Sequence, residues 1–209
     1  MKKAIIKSMV LGPVATNCIL IKNSETKELL IVDPADQAGD ISQAVTLLDG
    51  QPVGILLTHG HFDHIGAVDD LRDLYDIPVF ACREEADVLE DPELNLSAAW
   101  NESCSTHADR LLDDGEKFTL AGFEIQMLHT PGHTHGSCCY YIPEEGILLS
   151  GDTLFAGSVG RMDFPTSSGR AMQASLQRLL CDLPEDTAVY PGHESTTTIG
   201  HEKRYNPFA

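Results

Sequence analysis

Residues 53–64 read VGILLTHGHFDH. Val53–Leu57 is a short apolar run of β-prone residues, which reads as a buried strand. His59, His61, Asp63 and His64 then crowd into six consecutive positions. A solvated polar loop has no need of so many ligand-type side chains. The end of a buried strand is, by contrast, where functional loops are placed.

On both sides of this stretch the same rhythm recurs. Ala4–Lys7, Asn17–Ile21 and Glu28–Val32 read as strands of a meander, followed by a helix from Asp40 to Leu48 with Ile41, Ala44, Val45 and Leu48 on one face. Beyond the histidine loop, Ala67–Tyr75 is helical by pattern, Pro78–Ala81 a strand and Glu84–Glu90 a short helix. The stretch 91–109 has no clear period and holds the only tryptophan, Trp100, so it reads as an excursion or lid. In the second half, Lys117–Leu120, Phe123–Leu128, Ser137–Ile142, Ile147–Ser150 and Ala188–Tyr190 read as strands and Arg170–Cys181 as an amphipathic helix. Two β-rich halves that each end in αβ units imply two sheets packed face to face with helices outside. The break near 91–115 reads as an insertion point within one domain spanning 1–209.

Three later strands also run into a donor. His133 lies in HTPGHTHG, Asp152 in GDTLF and His193 in PGHES, each beside a glycine that lets the backbone turn sharply and approach closely. His59, His61, Asp63, His64, His133, Asp152 and His193 make five imidazoles and two carboxylates. Zinc is typically held by three or four protein ligands with an open position when the site is catalytic, so seven donors suit two metals. Asp152 is the natural bridge, because a carboxylate has two oxygens able to serve both ions. Two zinc ions are the expected cofactors; the donor set is also compatible with iron or manganese.

Composition bounds the partners. The 209 residues are 42% hydrophobic and 22% charged, as in an ordinary globular protein. With 14 Lys and Arg against 32 Asp and Glu, a net charge of −18 repels nucleic acid and anionic lipid, which leaves a small-molecule substrate as the expected partner. Lys7 interrupts the apolar residues of MKKAIIKSMVLGPVA before they reach the length of a secretory signal, and no stretch approaches a membrane span. Cys18, Cys82, Cys104, Cys138, Cys139 and Cys181 are scattered without a CxxC pair and read as reduced thiols, which points to the cytoplasm.

The pattern THxHxDH followed by separated His, Asp and His resembles the metallo-β-lactamase fold superfamily. SGDTLFAGSVGR and PGHESTTTIGHEKRYNPF are similar to its glyoxalase II-like branch, the hydroxyacylglutathione hydrolases and their short relatives without the C-terminal helical domain. The resemblance spans Ile5 to Pro207 and implies an α/β fold, an αββα sandwich of two mixed β-sheets flanked by helices. It implies that His59, His61 and His133 hold a first metal, that Asp63, His64 and His193 hold a second, and that Asp152 bridges. Asp63 and Asp152 are assigned to catalysis as well as to the metals. Arg161 is expected to brace the Asp152 loop and Asp33 to support the metal loops, whereas His129, His135, His107 and His201 are expected to stay outside the site.

The resemblance further implies a hydrolase whose nucleophile is a metal-activated hydroxide. A thiolate departs without obligatory protonation, so thioesters such as S-lactoylglutathione fit best. The competing enzyme class is an iron-dependent persulfide dioxygenase, which uses only the positions matching His59, His133 and Asp152. β-Lactamases of the superfamily lack the aspartate at the place of Asp152, and flavodiiron proteins carry a glutamate in place of His61. A non-catalytic, metal-stabilised binding protein would be free to lose several of the seven donors. Only 16 residues follow His193, with Lys203 and Arg204 as fixed cations, so weaker selectivity for glutathione is expected than in full-length glyoxalase II.

Overall fold

The computed structural model describes residues 3–100 and 103–209. Strands β1 (Ala4–Leu11) and β2 (Thr16–Asn23) form a hairpin, and β3 (Glu28–Val32) pairs antiparallel with β2. Helix α1 (Ala38–Leu47) crosses to β4 (Gln51–Leu56), parallel to β3. A short α2 (Phe62–Ile65) and α3 (Val68–Tyr75) lead to β5 (Val79–Cys82). A 3₁₀ turn at Arg83–Glu85 then runs into α4 (Ala86–Glu90), and β6 (Arg110–Leu112) closes a six-stranded sheet ordered β1-β2-β3-β4-β5-β6.

The second sheet is built from the C-terminal half of the chain. Strands β7 (Lys117–Leu120), β8 (Phe123–His129), β9 (Cys138–Ile142) and β10 (Ile147–Gly151) form a meander. Helix α5 (Gly169–Asp182) carries the chain to β11 (Ala188–Pro191), parallel to β10; β12 (Thr197–Thr198) and α6 (Ile199–Tyr205) complete it. The order is β12-β11-β10-β9-β8-β7, so both sheets are mixed.

The apolar runs of the inner strands are continuous because both faces of each sheet are covered. Ile19, Ile21, Leu30, Val32 and Leu56 face Phe123, Ile125, Met127, Tyr140 and Leu149 between the sheets. Their neighbours Leu20, Leu29, Ile31 and Ile55 pack outward against Ile41, Val45 and Leu71 of α1 and α3. Leu148 and Val189 meet Met172, Leu176 and Leu179 of α5 on the opposite side. This is the expected αββα sandwich. The buried Tyr140 hydroxyl donates to the carbonyls of Leu57 and Phe80 at 3.0 and 3.3 Å, tying the second sheet to the first. Truncating Leu56 or Leu149 to alanine should cost about 2–5 kcal/mol through the cavity left behind.

Some elements differ from the sequence reading. Strands β1 and β2 run longer than Ala4–Lys7 and Asn17–Ile21, and α2, β6, β12 and α6 were not expected. Each of the four spans at most seven residues, too short to show a clear period of its own. Helix α6 instead has a capping signal, since the Thr198 hydroxyl accepts from the His201 N–H at 3.2 Å. Met1, Lys2, Asn101 and Glu102 lie outside the described residues, the last two within the 91–109 excursion. All six cysteines are free, four of them buried, Cys104 half-buried and Cys181 exposed. No helix among the described residues is long and apolar enough to cross a membrane.

Candidate metal centre

Four strand ends converge on one spot. The loop after β4 presents His59, His61, Asp63 and His64, while the loops after β8, β10 and β11 present His133, Asp152 and His193. The seven side chains predicted from sequence are all brought together here. Potential ligand atoms within each of three sets lie no more than 4.8 Å apart: His59, His61 and His133; His59, His64 and Asp152; Asp63, His64 and His193. Asp152 reaches both ends of the cluster, with Oδ1 3.5 Å from His64 Nε2 and Oδ2 3.4 and 3.5 Å from the Nε2 atoms of His133 and His193. Asp63 Oδ2 lies 3.3 Å from His193 Nε2 and 3.6 Å from His64 Nε2.

Close backbone approach makes this convergence possible. The Gly192 N–H donates to the Gly151 carbonyl at 2.9 Å, joining two of the loops. A Cβ at Gly192 would collide with Asp152 Oδ1 and His64 Cε1, so no larger residue fits there without moving the donors.

The imidazoles are oriented from behind. His64 Nδ1 donates to Asp33 Oδ2 at 3.1 Å, His133 Nδ1 to the Arg161 carbonyl at 2.9 Å, and His59 Nδ1 lies 3.2 Å from Thr58 Oγ1. Because the Thr58 hydroxyl donates to Asp33 Oδ2 at 2.7 Å, it accepts from His59. A proton on Nδ1 leaves the Nε2 lone pair facing the cluster, the arrangement that metal-binding histidines use. His61 Nδ1 lies 2.9 Å from His133 Nε2, a direct contact between two donor imidazoles. His59 Nε2, His61 Nε2, His64 Nε2 and Asp152 Oδ1 are buried with no hydrogen-bond partner. Buried polar groups normally find partners. Four orphans converging on one spot therefore fit a cation, and the all-nitrogen and oxygen donor set fits zinc, iron or manganese.

The cluster is electrostatically divided. Burial, reinforced by neighbouring imidazoles, holds His59 and His61 well below the ordinary histidine range. Burial also opposes charge on His64, but Asp63, Asp152 and Asp33 outweigh it and push the group up to about 10. For Asp63 burial opposes ionisation, yet His64 and His193 hold its carboxyl well below the usual range.

Several supporting residues were legible only in part. Asp33 does support the metal loop, accepting also from the Thr58 N–H at 2.8 Å, and it holds a left-handed backbone with φ 47°. Arg161 braces the site through its carbonyl rather than its guanidinium, which is exposed, bound to Asp163 at 2.9 and 2.7 Å and stacked 4.4 Å over Phe164. His129 and His135 stay outside the cluster, bonded to the His135 carbonyl and to Asp87 respectively. His107 and His201 are exposed.

Sequence reasoning missed Glu85, which is fully buried and accepts from the Gly60 N–H and the Thr134 hydroxyl, both at 2.7 Å. Gly60 separates His59 from His61 and Thr134 follows His133, so one carboxylate clamps two donor loops. Thr16 and Asn17 were missed as well. Thr16 Oγ1 donates to Asp63 Oδ2 at 2.9 Å, and Asn17 Nδ2 donates to the carbonyls of Pro191 and Glu194 on either side of His193. A separate group of Cys82, Glu84 and His129 brings potential ligand atoms within 4.8 Å, and the Cys82 thiol donates to Glu84 at 3.1 Å.

A cavity of about 600 Å³ opens over the donors, lined among others by His61, Asp63, His133, Asp152, Arg161 and His193. A donor cluster at the rim of a two-sheet sandwich, beneath such a cavity, defines a metal-dependent hydrolase of one fold class. The chain belongs to the Metallo-beta-lactamase superfamily, whose family model matches residues 11–193. Several relatives resemble the chain over nearly their whole length. The hydroxyacylglutathione hydrolase GloC of Haemophilus influenzae is 36% identical over 195 residues, 92% of each chain. The crystal structure of TTHA1623 in a di-iron-bound form is 38% identical with a TM-score of 0.86, covering 97% of this chain and 100% of its own. The crystal structure of the B3 metallo-beta-lactamase BLEG-1 is 40% identical with a TM-score of 0.92, covering 98% and 99%.

Proposed function

We propose that the chain is a dinuclear metallohydrolase that cleaves thioesters of small acyl thiols, S-lactoylglutathione being one member of the class. The observation that carries the reading is Asp152, whose two oxygens face both triads while Oδ1 has no protein partner. His59, His61 and His133 would hold one metal, Asp63, His64 and His193 the other, and Asp152 both. A pair of divalent ions supplies a hydroxide nucleophile at neutral pH and polarises the scissile carbonyl. The remaining work falls to the chain. Asp33, Glu85, Thr16 and the Arg161 carbonyl hold the donors so that their lone pairs converge without reorganisation. In the overall reaction a C–O bond forms to the water oxygen and the C–S bond breaks, its electron pair leaving on sulfur. Outside the donor set Glu194 is the one carboxyl among the described residues of the cavity wall, and a thiolate departs without obligatory help from a proton donor.

The GloC relative supports the thioester reading, and the di-iron form of TTHA1623 keeps iron beside zinc as the resident metal. A second reading, a mononuclear iron persulfide dioxygenase, draws on the pairing of His133 with Asp152 at 3.4 Å. Metal analysis of the protein purified without added metal, followed by assay of S-lactoylglutathione, small thioesters, glutathione persulfide and a β-lactam, separates these. About two metals per chain with thioester turnover is the expected result. One iron with oxygen uptake on the persulfide would replace the proposal, and selective β-lactam cleavage would move the chain to the activity of BLEG-1.

A further inference from the structure

The wall of the cavity is mostly apolar. Val14 comes from the β1–β2 turn, Phe62 from the start of α2, Trp100 from the 91–109 excursion, and Phe155, Val159 and Phe164 from the segment after β10. The Phe62 and Trp100 rings pack together, tilted by 39° with centroids 4.7 Å apart. Phe164 stands edge-on to His61 at 5.3 Å and Phe155 to His193 at 6.0 Å, so an aromatic ring flanks each metal triad. Val14 and Trp100 are 40% and 48% exposed, and Met162, beside Arg161 in sequence, is 37% exposed. Large apolar side chains left in solvent around a cleft mark a surface that a ligand covers.

The charges around the cavity disfavour an anionic arm relative to an uncharged one. Among the described residues Arg161 is its only fixed cation, and both guanidinium contacts go to Asp163 while the plane lies over Phe164. Glu194 adds a carboxylate to the rim. Near the chain's end, Arg204 is bound to Glu185 at 2.8 Å. An anionic tripeptide would meet this wall with no free cation to receive it, and a surface of net charge −18 would oppose its approach.

We propose that this cavity selects thioesters bearing an uncharged apolar arm, a medium-length alkyl or aryl group, which lies against Phe62, Trp100 and Phe164 while the carbonyl reaches the donor cluster. The inference rests on the thioester reading for the identity of the scissile group only. The arm's recognition is a property of the wall. Because Trp100 is the only tryptophan in the chain, its emission reports on that wall directly.

Two measurements on the metal-loaded, full-length chain test it. The first is kcat/KM for N-acetylcysteamine thioesters from acetyl to hexanoyl and phenylacetyl, and for S-acetyl esters of alkyl thiols of increasing length. In one of the two series kcat/KM should rise roughly fourfold per methylene, the factor expected from burying one CH₂ group, and Trp100→Ala should compress that rise. The second is titration of Trp100 fluorescence with S-hexyl-N-acetylcysteamine, a thioether that cannot be hydrolysed, against S-methylglutathione. The hexyl probe should shift the emission at concentrations where S-methylglutathione does not. Thioester turnover that is flat in both series, with no fluorescence response to the hexyl probe, overturns the apolar-arm proposal and leaves the thioester reading standing. A clear response to the hexyl probe with no thioester cleaved does the reverse. Tighter binding of S-methylglutathione than of the hexyl probe overturns the proposal outright.

Discussion

The two triads are made from nearly the same residues yet differ in electrostatic character. His59, His61 and His133 form an all-imidazole set in which burial keeps His59 and His61 neutral. In the set of Asp63, His64 and His193, burial is outweighed by the surrounding carboxylates, and His64 and His193 are both raised. Asp63 within the second set, with Asp152 and Asp33 beside it, separates paired charges from neutral lone pairs. The buried braces are divided unequally: Glu85 lies behind the first triad through Gly60 and Thr134, while Asp33 lies behind the second through His64 and reaches His59 of the first through Thr58. A cation entering the first triad meets His59 and His61 already deprotonated, whereas one entering the second displaces protons from His64 and His193.

The most damaging substitution should be the one that removes what the triads share. Asp152→Ala should lower turnover by about a thousandfold or more, in line with losing a group on which the transition state depends, and metal content should drop while the circular dichroism of the fold persists. Near-normal turnover with two bound metals would leave Asp152 without a bridging role and remove the observation on which the proposed function rests. His61→Ala should lose metal and activity together, and His135→Ala, a residue paired with Asp87 outside the cluster, should stay within about twofold of the parent. Equal behaviour of the two variants would show that the histidines are sorted wrongly.

The braces should distinguish the triads from each other. Glu85→Ala leaves the Gly60 N–H and Thr134 hydroxyl without their carboxylate, and should weaken metal binding at the first triad by about 10–100-fold, the usual scale for an outer-shell partner. Asp33→Ala should weaken the second by a similar factor and, through Thr58 and His59, the first to a smaller extent. Stepwise metal titration of each variant by calorimetry checks this, and identical loss of both binding steps in both variants would mean the triads are not separately supported.

Glu85 also gives a pH signature. Burial raises its carboxyl to about 7, against the stabilising bonds from Thr134 and Gly60. The folded chain therefore holds this proton more tightly than the unfolded chain, so the contribution is full below the ordinary glutamate range and is lost as pH rises through about 7. Relative to Glu85→Gln, the parent should lose on the order of 2–3 kcal/mol of stability between pH 4 and pH 8. Urea unfolding of both proteins at each pH measures this, and a constant difference between them would rule out the titration.

The donors were legible because each follows a strand whose apolar run is visible locally and because imidazoles and carboxylates are rare at such positions. Glu85 was not, since REEADVLE reads as an ordinary polar helix and its burial comes from loops 25 and 49 positions away. Asn17 reads simply as the first residue of a strand and Thr16 as the residue before it, and only the packing of β2 against the Asp63 and His193 loops gives them partners. The two-sheet architecture was legible from the repeated rhythm of the halves; β6 and β12 were not, because strands of three and two residues are defined by their neighbours. Arg161 is expected to brace the Asp152 loop, whereas its carbonyl holds His133 and its guanidinium holds neither donor.

That last distinction predicts a near-silent substitution. His133 Nδ1 is held by the Arg161 carbonyl, which any residue at this position retains, while the guanidinium is 67% exposed and engaged with Asp163 and Phe164. An exposed ion pair of this kind contributes little. Arg161→Ala should therefore leave metal content unchanged and alter kcat/KM on uncharged thioesters by no more than about twofold, in contrast to the loss at Glu85, which supports the same triad from inside. The pair of variants separates backbone support from side-chain support for His133. If Arg161→Ala instead lowered kcat/KM for S-lactoylglutathione by more than about tenfold while sparing an uncharged thioester, a factor beyond what an exposed ion pair supplies, the guanidinium would be leaving Asp163 to bind an anionic arm, and the wall over the first triad would have to be redrawn as a charged one.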